Sequence, residues 1–329
     1  MVVSMVYRLA GVIAAGAILA ACGGGGQTTP VVPGSPSFGA APAAQSGGRS
    51  SVAVVTAPTP TPAPTPAPTL KPSPGASCTP IVTVNPATQF PTRTAKSFSP
   101  GRFINLDATG CDYGIYLGPS VHHARIADSR VHGASRVEII AEGADDVEIS
   151  DSAIDGSGGL KGIEFDYGAS GSIDRTYVTN TGTGINLIYG ATGHVGLTLI
   201  TNTSFIGINV LDNATGVIED VLVDNQMNVG SGVAVQLGSK GTIRRTTAIG
   251  AGKPTAVGPQ YGFFFGYSQP QVSITDSTAI HNEYGVGSYC VPGISSAADF
   301  TNAGDTARDS TVANYEVETN SALCPAPPP

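Results

Sequence analysis

The sequence predicts an all-β solenoid of about eight short coils, each covered by the next. Three observations carry this expectation. One phrase returns at nearly constant spacing, apolar residues alternate with a period of two inside every copy, and helical periodicity is absent from the repeated region. GINLIYGATGHVGLTLITN from Gly184 and GINVLDNATGVIEDVLVDN from Gly207 show the echo most plainly.

The N-terminal element is not part of that fold. Arg8 is the only charge before the apolar run LAGVIAAGAILAAC, which is too short to span a bilayer comfortably. The run ends in Leu19-Ala20-Ala21-Cys22, which resembles the lipobox of bacterial lipoproteins. That resemblance implies a signal peptide over residues 1–21, acylation of Cys22 and anchoring to a membrane. Gly23 stands where an inner-membrane retention signal would place Asp, so the implied destination is the outer membrane of a Gram-negative cell, facing the periplasm or the surface.

Residues 22–77 form the next element, opening GGGG and closing TAPTPTPAPTPAPTLKPSP. Alternating Pro fixes φ and removes every second backbone donor, so neither helix nor sheet can form. The expectation is an extended stalk, its Pro-rich part on the order of 55 Å long. The plainer reading is a low-complexity segment with no mechanical role.

The repeats occupy the domain expected over 78–324, before a short tail at 325–329. Octets beginning with an aliphatic residue start at Ile126, Ile149, Ile173, Val195, Ile218, Ile243 and Ile274, with spacings of 23, 24, 22, 23, 25 and 31 residues. A degenerate copy, ARDSTVAN, starts at Ala307. Between them lies a second strand signal with a leading glycine: GIEFDYG at Gly162, GINLIYG at Gly184, GVAVQLG at Gly232, GFFFGYS at Gly262. The copy at Val137, VEIIAEG, lacks that glycine. From leading glycine to octet the distance is 11 or 12 residues; from octet back to glycine it varies from 11 to 19. One arm of each coil is therefore fixed, and the other tolerates inserted loops.

A unit this short cannot bury its own apolar face and must stack on copies of itself. The G-I-x-V, turn, I-x-D/N-S/T-x-I pattern resembles the right-handed parallel β-helix of the pectate-lyase-like superfamily from about Gly114 to Asn314. The inward pairs are then Ile163/Phe165, Ile185/Leu187, Ile208/Val210, Val233/Val235 and Phe263/Phe265. A leucine-rich repeat has a similar period but needs Leu at L-x-x-L-x-L and a helical arm, and neither is present.

Four cysteines besides Cys22 lie in pairs at the two ends of the ladder. An even count in an exported chain reads as disulfides, and pairing within each end, Cys78–Cys111 and Cys290–Cys324, would staple the open edges. Metal binding is the weaker reading, because no CxxC or His cluster accompanies them.

Chemistry is sought in three places. Asn180, Asn202, Asn225 and Asn282 recur near the octet's end, and Asp128, Asp151, Asp220, Asp276 and Asp309 inside it, with Arg175 and Arg245 interleaved. Stacked carboxylates raise the thought of Ca²⁺, but residues that recur once per coil are set by the coil, so turn closure is preferred and no cofactor is identified. The variable arm gathers its loops on one flank and brings Lys161, Lys253 and Tyr261 there. The adjoining strands present Glu164, Asp166, Asn186, Asn209, Gln236 and Phe264 outward. Amides, carboxylates and aromatics along a shallow groove suit hydroxyl-rich sugars.

Superfamily resemblance implies binding, cleavage or epimerisation of polysaccharide. A uronate lyase would need a cation such as Lys161, Lys253, Arg175 or Arg244, and a proton carrier such as Tyr167, Tyr189, Tyr261 or His194. A hydrolase would use paired carboxylates, and Glu164 with Asp166 at i, i+2 share a face. Lys161, Glu164 and Asp166 are the candidate catalytic set; Asn186, Asn209, Gln236, Lys253, Tyr261 and Phe264 the candidate substrate contacts. The net charge of −8 argues against a nucleic-acid partner. A surface-anchored polysaccharide-binding lipoprotein, with lyase, epimerase or glycosidase activity left open, stands against a non-catalytic structural or adhesive surface protein.

Overall fold

A computed structural model describes residues 77–81, 93–156, 160–254, 258–267, 270–289, 291 and 303–318. All fall within one compact unit, 66–329. The expected signal peptide, Cys22, all but the last residue of the stalk, the Cys290–Cys324 pair and the tail lie outside the described residues.

Every element among the described residues is a β-strand. Each coil contributes one strand to each of three parallel sheets. Lys161–Asp166 lies in the first sheet, Ser170–Asp174 in the second and Tyr177–Thr179 in the third; Thr183–Ile188 then re-enters the first sheet beside Lys161–Asp166. The first sheet runs in order through Tyr113–Leu117, Val137–Glu142, Lys161–Asp166, Thr183–Ile188, Ile206–Leu211, Ser231–Gln236, Tyr261–Gly266, Tyr284–Tyr289 and Ala313–Glu318. At its start Thr79–Pro80 pairs antiparallel with Thr94–Ser97, and Cys78 is bonded to Cys111, 33 residues on.

Register makes the core. Ile163 pairs with Ile185, Ile185 with Ile208, Ile208 with Val233 and Val233 with Phe263. The four aliphatic members of this interior column are 0 % exposed. Beside it stand Phe165, Leu187, Val210, Val235 and Phe265, also fully buried. The octets supply the other walls: their first residues (Ile173, Val195, Ile218, Ile243) align in the second sheet, their sixth (Val178, Ile200, Val223, Ala248) in the third. At roughly 4.8 Å per coil, every buried methyl meets another directly above it, and the apolar area removed from water drives the winding.

The leading glycine has a steric cause. A Cβ at Gly184 would lie 2.6 Å from Gly207 O and 2.7 Å from Ile200 Cγ2, because the third sheet's side chain fills that corner. Glu138 occupies the same position in the copy without glycine, fully buried, and its carboxylate accepts from the Ala134 N–H at 3.1 Å. Burial pushes its carboxyl up to about 8 despite that bond.

The octet's third residue turns the chain from the second sheet to the third in the left-handed region. Asp128, Asp151, Arg175, Leu197, Asp220, Arg245 and Asp276 have φ between 45° and 56°. The expected degenerate octet at Ala307 is out of phase with these: Ala307 pairs with Ala279 in the third sheet, so Asp309, also at positive φ, stands at the next corner, level with His281. Asp suits that conformation; Arg and Leu adopt it at a cost of about 1 kcal/mol. The next residue repays part of it. Ser152 Oγ donates to Ser150 O at 2.7 Å, Thr176 Oγ1 to Asp174 O at 3.0 Å, and Thr198 Oγ1 to Gly196 O at 2.8 Å.

Candidate functional site

The recurring Asp and Arg residues of these turns answer to each other. Arg175 makes a two-pronged pair with Asp151 one coil below, at 2.8 and 3.0 Å, and Arg245 does the same to Asp220 at 2.7 and 2.8 Å. These pairs hold both aspartates below the usual carboxylate range. Asn202 donates to Asn180, and Asn180 to Asp155 at 2.9 Å, while buried Asn225 and Asn282 bond backbone carbonyls. Arg244 pairs with Glu219. Among the described residues no three His, Cys, Asp or Glu side chains converge on a point where a metal could sit. The turns are self-satisfied.

The outward face of the first sheet differs. Its strands carry Tyr116, Ile140, Glu164, Asn186, Asn209, Ala234 and Phe264 in one register column. Down this column runs a directional hydrogen-bond chain. Gln236 Nε2 donates to Asn209 Oδ1 at 3.1 Å, Asn209 Nδ2 to Asn186 Oδ1 at 3.0 Å, and Asn186 Nδ2 to Glu164 Oε2 at 2.7 Å. Lys161 Nζ closes it by donating to the same Glu164 oxygen. Five of the nominated residues thus form one polar ladder across four consecutive coils.

An acidic group sits at the ladder's lower end. Asp166 stands opposite Glu142 on the neighbouring strand, and Glu142 is hydrogen-bonded to Tyr116. Burial, then the nearby Glu164 charge, pushes Asp166 up to about 7, although the Tyr167 N–H donates to it at 2.7 Å. Burial likewise raises Glu142. These carboxylates point outward yet are hemmed in: Glu164 is 6 % and Asp166 8 % exposed. Packing between flanking side chains strengthens their mutual repulsion, because little water screens it.

Aromatic side chains flank the ladder. Tyr167 and Tyr189, at the corner between first and second sheets, stack with ring centroids 5.2 Å apart. Leu237 and Tyr267 stand at the corresponding corners of later coils. All four have positive φ, from 48° to 57°, and Tyr189 is 43 % exposed. Asp212 holds the same corner in the coil between Tyr189 and Leu237; bulky residues kept in a disfavoured conformation at the other four mark a surface under functional constraint.

Three nominated residues are placed differently from expectation. Tyr261 and Phe264 lie on this face but are almost buried, packed with Tyr284 and Tyr289; the Tyr261 hydroxyl bonds Tyr289 and Glu316, each at 3.1 Å. They are a packed aromatic plug rather than an open stacking surface. Lys253 belongs to the long loop before Tyr261, but that loop leans on later coils through Thr311 Oγ1 donating to Gly252 O at 2.9 Å. No hydrogen bond or ion pair ties Lys253 to the ladder among the described residues. Lys161, Glu164 and Asp166 lie four strands away from Tyr261 in the sheet order, about 19 Å along the stack at 4.8 Å per strand, so they share no cleft with that loop.

Glu142 and Tyr116 were not singled out in the sequence. Aligning the second residue of VEIIAEG with the first of GIEFDYG places Glu142 beside Asp166, but the missing glycine hides that phase. A shallow depression on the second sheet's outer face, among Thr215, Lys240, Thr242, Gln271 and Ser273, is lined by neither acid nor aromatic ring and offers no acid–base pair.

Comparison with known proteins bears on the fold. No curated protein matches the sequence. Among solved structures, an alginate lyase from Paenibacillus sp. str. FPU-7 is similar at 14 % identity, over 67 % of this chain and 78 % of that one, with a TM-score of 0.36. A likeness that weak carries no argument about activity. The family model described as right handed beta helix region matches residues 113–279, just over half of the chain and the same span in which the three sheets are continuous. The chain belongs to the right-handed β-helix family.

Proposed function

We propose that the protein binds extracellular polysaccharide along the outward face of its first sheet, from Tyr116 to Gln236. The observation that carries this is the directional ladder Gln236–Asn209–Asn186–Glu164–Lys161, walled on one side by the Tyr167–Tyr189 stack. Carbohydrates need in-line donors and acceptors at near-constant spacing together with apolar faces, and a parallel solenoid repeats both every 4.8 Å or so. Gln236, half-buried at the ladder's upper end, keeps a second N–H for a ligand, while Asn209, Asn186 and Glu164 lie buried beneath flanking side chains and hold it from below. Anchoring through Cys22 to an outer membrane belongs to the same proposal, supported by the Leu19-Ala20-Ala21-Cys22 sequence; an exported chain also accords with the Cys78–Cys111 disulfide.

Glu164 and Asp166 are the groups placed to act on a bound glycan. An aspartic acid that keeps its proton to about pH 7 can give it to a leaving glycosidic oxygen. On an extended strand their Cα atoms are about 6.6 Å apart, which puts both carboxyls within reach of one sugar unit. A second reading, of a non-catalytic adhesive surface protein, is favoured by one observation: Glu164 is already held by Lys161 and Asn186.

The test is to incubate the full chain with a panel of neutral, amino and uronic polysaccharides, following binding by affinity electrophoresis and products by reducing ends and unsaturated-sugar absorbance. Binding with product release that Asp166→Asn abolishes supports catalysis. Binding without product supports the adhesive reading. Binding of no polymer overturns the glycan site. Loss of membrane association on Cys22→Ala tests the anchor.

A further inference from the structure

The charge on this face is informative about which glycan it takes. A polyuronate brings one carboxylate per sugar, and a site for it needs cations that are free to meet those groups. Among the described residues from Tyr113 to Gln236, the outward positions of the first sheet carry three carboxylates, Glu142, Glu164 and Asp166. Two of the cations beside them are already engaged, and the third, Arg136, is exposed at the lower edge of the face, beside Tyr113. Lys161 donates to Glu164, and Arg93 lies over the Tyr113 ring, 5.6 Å from its centroid, and donates to the Tyr113 hydroxyl. Further up the face the column offers only amides, Asn186, Asn209 and Gln236, before Ala234 and the aromatic plug. An entering carboxylate would meet Glu164 and Glu142 and, along the ladder above Arg136, find no donor of opposite charge to replace its hydration. A sugar ammonium would instead meet Glu142, half-buried at the rim, with the buried Glu164 and Asp166 charges behind it, and an uncharged hydroxyl would meet the Gln236 amide.

Resting on the proposal that this face is the glycan site, we infer that it selects polymers of amino-bearing sugars first and uncharged sugars second, and excludes polyuronates. The ladder and the tyrosine stack locate the site; the carboxylates determine the sign of charge it accepts. The crowding of Glu142, Glu164 and Asp166, which holds two of the three above the ordinary carboxylate range, is the repulsion a bound ammonium would relieve.

The experiment is a titration of the full chain with soluble glucosamine oligomers, neutral glucose oligomers and oligogalacturonate at pH 6, at low and moderate salt, followed by tyrosine fluorescence and calorimetry. Because the chain's net charge of −8 attracts any polycation, each titration is repeated with Glu164→Gln and with Asp224→Asn, a carboxylate removed from the third sheet. The expected result is at least tenfold tighter binding of the amino oligomer than of the uronate, with the neutral one between. Glu164→Gln should weaken the amino oligomer about tenfold, and Asp224→Asn should leave it within twofold. Equal weakening by both variants, or uronate binding as tight as the amino oligomer, overturns the inference while leaving a glycan site standing. Binding of none of the three overturns the site itself.

Discussion

At the residue scale, two backbone and charge features have measurable consequences. Leu197 sits at φ 46° in a turn where other coils place Asp, and its side chain is 55 % exposed, so little packing rewards the strain. Leu197→Asn should stabilise the protein by about 1 kcal/mol, seen as a higher denaturant midpoint at unchanged slope. Asp166 behaves in the opposite sense. It titrates near 3.8 in an unfolded chain and near 7 in the fold, so the fold favours its protonated form. The stability this contributes is complete below about pH 4 and is lost as pH rises through 7. Asp166→Asn should therefore gain stability relative to the natural chain across that window and change little below it; parallel pH profiles for the two would refute the assignment. The role of such residues was only half visible beforehand. That Glu164 and Asp166 share a face follows from alternation alone, whereas Asp166's crowding by Glu142 depends on a strand whose phase its missing glycine conceals.

At the element scale, the turns explain why the octet is so regular. Six of the seven pair a left-handed residue with a hydroxyl that caps the carbonyl two residues back, as Thr198 does to Gly196 and Thr246 to Arg244, and Val221 stands there in the seventh. Thr198→Val keeps the shape and deletes the bond, leaving a buried carbonyl with one partner fewer; a loss of about 1 kcal/mol in thermal or chemical unfolding is expected. Had the hydroxyls merely faced solvent, the substitution would be neutral. The fixed 11- or 12-residue arm made this turn legible, since no loop interrupts it. The variable arm was less readable. Lys253 emerges from that flank, but the eleven residues between Ile249 and Tyr261 leave its direction open, and contact with Thr311 turns it toward later coils. The variable arm predicts an exposed Tyr261 and strand alternation an exposed Phe264, yet four aromatic neighbours bury one another wherever they meet on a sheet.

At the scale of the whole molecule, stacking makes each coil depend on the two beside it. Ile208 touches Ile185 on one side and Val233 on the other and is fully buried, so Ile208→Ala should cost about 2–5 kcal/mol, read as a lowered midpoint by circular dichroism. The interior was the most legible part of the protein, because burial inside a coil leaves no third option to a residue in register. The outer face was legible only as a set of side chains; the direction of its hydrogen bonds, and the engagement of Lys161, come from contacts between coils. The most direct measurement of the central claim compares two bulky cations on opposite sides of the stack. Gln236→Arg on the first sheet and Thr247→Arg on the third are each confirmed folded by circular dichroism, then titrated with the glycan the natural chain binds best. A glycan site on the first sheet predicts at least a tenfold loss for Gln236→Arg and none for Thr247→Arg; undiminished binding by Gln236→Arg would contradict it.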